Sequence, residues 1–320
     1  MKKSIPIVLA ILFAISFLTA DAQSPSAPDT VKVGVYIVSI HDIDFKQKEY
    51  VVSFWLWLKY KNKDFDFVKN LEVPQAKSVD KSFSVLDTSG EVVSLQMKMQ
   101  CVMKDNWKID NFPFDHQKLR LSIENSQYDS RSLVFVPDTI GQHFDPRFLL
   151  RGWVIDSCIV TSGTKAYETG FGDESLAKPH TEYSAFRLRL SIHRDASGLF
   201  WKMFLGMYIA FLIAFICFFI HKDGIDSRFG LSVGSLFAVI GNKYIIDSAL
   251  PESSSFTLVD TLHGLTLFFI FSVITATAYS LRLVKKNKIA KAHRFDMMIA
   301  AIMFVIYIGA NIWFISQAWQ

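Results

Sequence analysis

The chain has 320 residues, of which 51% are hydrophobic, 14% aromatic and 20% charged, and its mean hydropathy is +0.26. The positive average excludes an ordinary soluble domain and the charged fifth excludes a chain buried wholly in lipid, so the molecule divides into a water-exposed and an embedded part. A formal net charge of +4 is too weak to indicate nucleic acid, and three cysteines cannot build a disulfide scaffold.

Lys2 and Lys3 precede an apolar run over residues 5–18, and Ala20-Asp21-Ala22 follows. A basic start, a short apolar run and small residues at A-x-A spacing predict a secretory signal peptide over 1–22, with a mature start at Gln23. The run is shorter than the ~20 residues a spanning helix needs.

Residues 23–195 read as an exported, strand-rich domain. Strands are predicted at 31–37, 50–60, 92–102, 119–123, 134–136, 153–160 and 186–192, where β-branched and aromatic residues dominate. Turn residues punctuate them: Asp87-Thr88-Ser89-Gly90, Gly141, Asp145-Pro146, Gly163 and Gly170-Phe171-Gly172-Asp173. Many short strands with such punctuation predict an immunoglobulin-like β-sandwich. Nothing in the sequence brings the Cα atoms of Cys101 and Cys158 within bridging distance, so both are expected as free buried thiols.

Residues 196–320 change period, with long apolar stretches at 199–220, 229–246, 256–281 and 297–315. These predict a four-helix transmembrane pore domain. The second stretch is the weakest, since it holds Ser232, Gly234, Ser235, Gly241, Asn242 and Lys243. Polar and small residues inside a span face a bundle interior or water, so this helix is expected around a pore. Residues 221–224 are expected on the cytoplasmic side. So is the connection carrying Arg282, Lys285, Lys286, Lys288, Lys291 and Arg294, by the excess of basic residues in inner loops. Residues 251–255 then lie outside, beside the exported domain.

Phe112-Pro113-Phe114-Asp115-His116-Gln117 makes this plan specific. It resembles the F-P-F-D-x-Q segment at the base of the extracellular domain of pentameric ligand-gated ion channels. The prokaryotic members are the better match, because the cysteines that flank this segment in the eukaryotic Cys-loop are absent; Asp105 and Leu119 stand near their places. Trp55 followed by Tyr60, a lone Arg194 before the first helix, Leu250-Pro251 after the second and a short third-to-fourth link extend the resemblance over nearly the whole mature chain. It implies a homopentamer in the bacterial inner membrane with a periplasmic N-terminal domain, opened by a small ligand or a proton at subunit interfaces. Membrane lipid and permeating inorganic ions are its other partners, and no cofactor is implied.

Residue roles follow from the same resemblance. Phe112, Pro113, Phe114, Asp115, Arg194 and Pro251, with Asp42 and Asp44 of the first strand–strand loop, correspond to positions that couple ligand binding to the pore. Asp115 needs a cation if partly buried, and Arg194 is the natural partner; the alternative is a solvated pair of little energetic consequence. Trp55 corresponds to the complementary face of a ligand pocket, and Tyr128, Tyr167, Phe171 and Tyr183 to its principal face. Aromatic faces attract ammonium groups, which makes an amine one candidate ligand. The competing reading is that Trp55 and Trp57 alternate across a strand, one in the core and one on the surface. Asp173, Glu174 and His180 equally suit proton or divalent-cation sensing.

Stepping back from Pro251 at helical spacing gives Asp247, Tyr244, Gly241, Phe237, Gly234, Gly230 and Asp226, a single stripe that would become rings in a pentamer. An Asp226 ring would concentrate cations at the inner mouth and Asp247 at the outer one, and Phe237 has the bulk for a hydrophobic gate. Gly230, Gly234 and Gly241 either line the pore or pack between helices. Lys243 either snorkels outward or opposes cation passage. No H-E-x-x-H, G-x-S-x-G, C-x-x-C or P-loop pattern occurs, and neither His143 with Asp145 nor His41 with Asp42 defines a catalytic geometry, so an enzyme is not expected. The remaining alternative is a non-conducting, membrane-anchored periplasmic ligand sensor of the same fold.

Overall fold

The computed structural model describes residues 27–145, 147, 150–174, 178–221 and 224–319. The predicted signal peptide lies outside them, as do Pro146 of one predicted turn and Lys222 and Asp223 of one predicted inner loop. Among the described residues the first half forms β1 (Asp29–Asp44), β2 (Glu49–Tyr60), β3 (Leu71–Glu72), β4 (Ala76–Asp87), β5 (Val93–Lys104), β6 (His116–Asn125), β7 (Leu133–Pro137), β8 (Trp153–Tyr167) and β9 (Thr181–Arg194). One sheet has the order β4-β5-β2-β1-β7 and the other β3-β6-β9-β8. β7 runs parallel to β1, while the pairs β1–β2, β2–β5 and β6–β9 are antiparallel.

Alternation explains the sandwich. Along β2, Tyr50, Val52, Phe54, Leu56, Leu58 and Tyr60 are buried while the residues between them face outward. β6 buries Leu119, Leu121 and Ile123 in the same way, and β9 buries Phe186, Leu188, Leu190 and Ile192. Each fully buried large apolar side chain contributes roughly 1.5–3 kcal/mol, and together these residues form one core between the two sheets. Polar contacts also tie the sheets together: the Tyr50 hydroxyl donates to the Arg120 carbonyl (2.7 Å) and accepts from the Arg120 N–H (3.1 Å), and the Phe135 N–H donates to Ser184 Oγ (2.8 Å).

Trp55 and Trp57 do not alternate across β2. They are two residues apart, so the period of two places both on the outer face. The Trp57 ring lies directly over Gly34, its cross-strand partner, where a Cβ would come within 2.1 Å of the indole. Only glycine fits there. Gly163 is not a turn: it lies inside β8, opposite Ala185. All three cysteines are free, with Cys101 and Cys217 buried and Cys158 half-buried.

The second half holds α1 (Ser197–Ile216), α2 (Ile225–Ala249), α3 (Leu258–Lys285) and α4 (Ile289–Ala318), each long and apolar enough to cross a membrane. Asp260 fixes the start of α3 through a capping box: Thr257 Oγ1 accepts from the Asp260 N–H, and Asp260 Oδ2 accepts from the Thr257 N–H. α4 begins earlier than the apolar run suggests, because residues 289–294, with Lys291 and Arg294 among them, are already helical and only a tight turn separates it from α3.

Candidate functional site

The two halves meet at the loop between β5 and β6. Phe112 is buried against Phe45, with ring centroids 6.3 Å apart. Phe114 points the other way, into the helices, with centroids 5.5 Å from Phe200 at the start of α1 and 4.8 Å from Trp319 at the end of α4. Asp110 of the same loop reaches α3: its carbonyl accepts from the Leu258 N–H (2.8 Å) and its carboxylate from Ser255 Oγ (2.5 Å). One eleven-residue stretch, 105–115, thus touches three of the four helices.

Asp115 and Arg194 lie together beneath this loop. Asp115 is 2% exposed. Arg194 Nε donates to Asp115 Oδ1 at 2.8 Å and Nη2 to Oδ2 at 3.3 Å, a two-pronged pairing. Gln117 Nε2 also donates to Asp115 Oδ2 (2.8 Å) and to the Lys108 carbonyl (2.7 Å). The guanidinium carbon lies 4.1 Å from the Trp153 ring centroid, 4.8 Å from that of Phe45 and 4.9 Å from that of Phe112. The positive charge is therefore held in an aromatic box, and the pair is not a solvated surface contact. Trp153 and Phe45 escape a reading by motif because they come from β8 and the β1–β2 loop, far from the Phe112–Gln117 segment in sequence. The carboxylates of Asp42 and Asp44 make local contacts, Asp42 with the His41 ring (2.8 Å) and Asp44 with the Gln47 N–H (2.7 Å), while the Asp44 carbonyl accepts from Trp107 Nε1 of the 105–115 loop (3.1 Å). Pro251 follows the end of α2 and is half-buried.

The seven residues of the predicted stripe on α2 are all exposed in the single chain, Phe237 at 66% and Tyr244 at 76%. The opposite face buries Arg228, Ser232, Ser235, Val239 and Ile246 against the other helices. At 3.6 residues per turn, Gly230, Gly234, Phe237 and Gly241 run directly opposite that buried face. Asp247 sits at the edge of the stripe, where it meets Lys243. Lys243 neither snorkels outward nor stands free: its Nζ lies 2.5 Å from Asp247 and 2.8 Å from Asp260 on α3. The Asp247 charge is thus largely answered within the chain, whereas Asp226 has no ion-pair partner among the described residues. Next to this cluster, His263 of α3 contacts Asn242 of α2 (2.9 Å) and the Val259 carbonyl (2.8 Å).

Arg228 and Asp296 form a second junction, at the other end of α2. Arg228 is 1% and Asp296 0% exposed, and Nη2 lies 3.3 Å from Oδ2. The guanidinium also donates to the Ile220 carbonyl, which closes the α1–α2 turn onto α2. Neither residue belongs to the predicted site. The available signal was an ionisable side chain at the margin of an apolar run, where a charge needs a partner inside the bundle.

Of the predicted ligand aromatics, Tyr167, Phe171 and Tyr183 come together. Their centroids lie 5.6, 5.9 and 6.0 Å apart at the closed end of the β8–β9 hairpin, in edge-to-face contact. Tyr128 packs instead on Phe65 (4.8 Å), and Trp55 on Phe83 (5.8 Å) at the far sheet, near Lys98. Two titratable groups flank the hairpin. The Tyr167 hydroxyl donates to buried Glu124 (2.8 Å), whose carboxyl is pushed above its ordinary range by burial. His180 lies 3.2 Å from Glu182 and 3.4 Å from Glu168, which hold its imidazolium form to a higher pH than usual. Beside them a polar recess of about 500 Å³ is lined by Asp129, Arg131, His180 and Tyr183 among others. His143 contacts the Val35 carbonyl, and no catalytic pairing with Asp145 forms.

No protein-family profile matches the chain. It is 22% identical over 308 residues to a proton-gated ion channel of Gloeobacter violaceus, an alignment covering 89% of this chain and 82% of the relative. It is 21% identical over 188 residues to a glutamate-gated chloride channel of Drosophila melanogaster, covering 57% of this chain and 37% of that one.

Proposed function

We propose that this chain, a relative of the pentameric ligand-gated ion channels in both fold and sequence, assembles as a homopentameric channel in the bacterial inner membrane, with the strand half periplasmic and α2 lining the pore. The observation that carries this reading is the free face of α2. Its stripe of glycines, Phe237 and Tyr244 stands opposite the side buried in its own bundle, as expected of a lining shared between copies. The ligand is a proton or a small molecule bound near the β8–β9 hairpin, where Tyr167, Phe171 and Tyr183 meet Glu124 and His180. A proton-gated relative supports the first choice.

The selectivity reading is for cations, although one relative passes chloride. Arg228, the nearest described cation on α2, is turned inward to Asp296 and leaves Asp226 exposed, with no ion-pair partner among the described residues. Five such carboxylates at one mouth would draw cations and repel anions. Phe237 would close the pore by excluding water, being flanked on its stripe by Gly234 and Gly241.

Recording from purified protein in planar bilayers under asymmetric salt tests both assignments. Asp226→Asn is expected to lower the cation-to-anion permeability ratio, and Phe237→Ala to raise resting conductance. An unchanged ratio moves the filter away from Asp226. Silence at every pH and ligand tried, despite pentamers by native mass spectrometry, replaces the channel with a non-conducting sensor.

A further inference from the structure

At the foot of the four-stranded sheet, His116, Asp156 and His193 come from three adjacent strands, and their ligand atoms all lie within 4.8 Å of one another. His116 and His193 are direct partners in the β6–β9 register, which sets their rings side by side on the outer face, tilted 35° with centroids 5.6 Å apart. Asp156 gets there through an irregularity. The β8–β9 register slips between Ile155 and Ser157, leaving Asp156 as the extra residue of a bulge. A bulge re-aims a side chain, and this one puts the carboxylate 2.6 Å from His193 Nδ1.

We propose that these three residues form a binding site for a borderline divalent transition metal, with Zn²⁺ as the type ion. Two imidazoles and one carboxylate with an open fourth position are a zinc donor set of the open kind, in which water completes a tetrahedron. The donor chemistry disfavours Ca²⁺ and Mg²⁺, which take oxygen ligands. Metal–donor bonds of about 2.0–2.2 Å need only side-chain adjustments of about an ångström from the present spacing. The ion takes the place of the hydrogen bond between His193 Nδ1 and Asp156, with His193 binding as a neutral imidazole whose proton sits on the ring nitrogen that does not ligate. A recess of about 480 Å³, which Asp195 and Trp319 also line, gives the ion and its water access. Arg194 lines that recess as well, but its charge is already answered by Asp115.

The ion would pin β8 to β6 and β9 one residue away from both Asp115 and Arg194. This part of the proposal stands whether or not the channel reading does, because its readouts are binding and spectra.

The full-length protein in detergent is titrated with Zn²⁺ against a chromophoric chelator, and separately loaded with Co²⁺. One Zn²⁺ per chain is expected, with at least a tenfold loss of affinity in His116→Ala and in His193→Ala. Co²⁺ is expected to give intense tetrahedral visible bands that vanish in the same variants. Asp156→Asn, the mildest change, should weaken binding while leaving the metal-free thermal midpoint unchanged, which separates loss of a ligand from loss of fold. Zinc uptake that survives all three substitutions, or octahedral Co²⁺ spectra, overturns the site.

Discussion

Two arginine–carboxylate pairs among the described residues, each with its carboxylate buried, join parts of this chain, and they are satisfied to different degrees. At the foot of the strands, Asp115 takes two bonds from Arg194 and one from Gln117, and rings cover the guanidinium. Inside the helices, Arg228 meets Asp296 through a single contact, while Arg228 Nη1 and Asp296 Oδ1 have no hydrogen-bond partner among the described residues. In a low-dielectric interior the second arrangement retains part of its desolvation cost, whereas the first has offset most of it. The difference teaches that burial of a charge pair says little about its worth; the count of completed bonds says more. It also suggests that the Arg228–Asp296 pair serves position, fixing α2 against α4, more than stability.

That contrast can be broken experimentally. The largest effect is expected from Asp296→Ala, which strands a buried guanidinium and should cost about 3–5 kcal/mol. Replacing both partners, Arg228→Met with Asp296→Leu, should recover most of that loss. Thermal unfolding in detergent measures both, and a double variant as unstable as the single one would show the pair to be a net stabiliser. Next comes the better-satisfied pair. Asp115→Asn and Arg194→Gln, singly and together, should show a coupling energy of about 1–3 kcal/mol; strict additivity would mean that the two side chains do not depend on each other. Trp153→Leu removes one wall of the aromatic box while keeping the ion pair, and should cost about 0.5–2 kcal/mol.

The smallest effect concerns a buried carboxyl that forms no ion pair among the described residues, with only the more distant Lys165 acting on it. Burial raises Glu124, so the folded chain binds its proton at a higher pH than the unfolded chain does. The associated stability is fully present below the ordinary glutamate range and is lost as pH rises through the raised folded value. Glu124→Gln should flatten that part of the pH–stability profile and gain less than about 1 kcal/mol at neutral pH, since Tyr167 can still donate to an amide. An unchanged profile would remove Glu124 from the candidate proton sensors.

What the sequence made legible follows from local chemistry. The core strands β2, β5, β6 and β9 alternate cleanly enough to be read directly. The Asp115–Arg194 pair was accessible because a buried acid needs a cation and few candidates stand at the junction. β4 was not legible: none of its twelve residues is buried, and Val79, Phe83, Val85 and Leu86 are exposed, so its pattern carries no core face. It is a strand because β5 offers it a partner edge. The pairing of Lys243 with Asp260 crosses two helices, and no spacing rule reaches across them. The bulge at Asp156 is likewise invisible in sequence, since the residue reads as one more polar position in an alternating strand.

The parallel pairing of β1 with β7 sets an order of assembly. β1 leaves the ribosome first, yet its second edge stays open until Leu133–Pro137 arrives, roughly ninety residues after β1 ends. At about 5–20 residues per second this is a wait of roughly 4 to 18 seconds. During that interval Val31, Val33 and Val35 belong to an uncovered strand, the kind of edge that recruits foreign strands. A newly made chain of this protein is therefore most vulnerable to mispairing before any of its membrane-spanning helices has been synthesised, and a holdase that covers β1 would protect it at that stage.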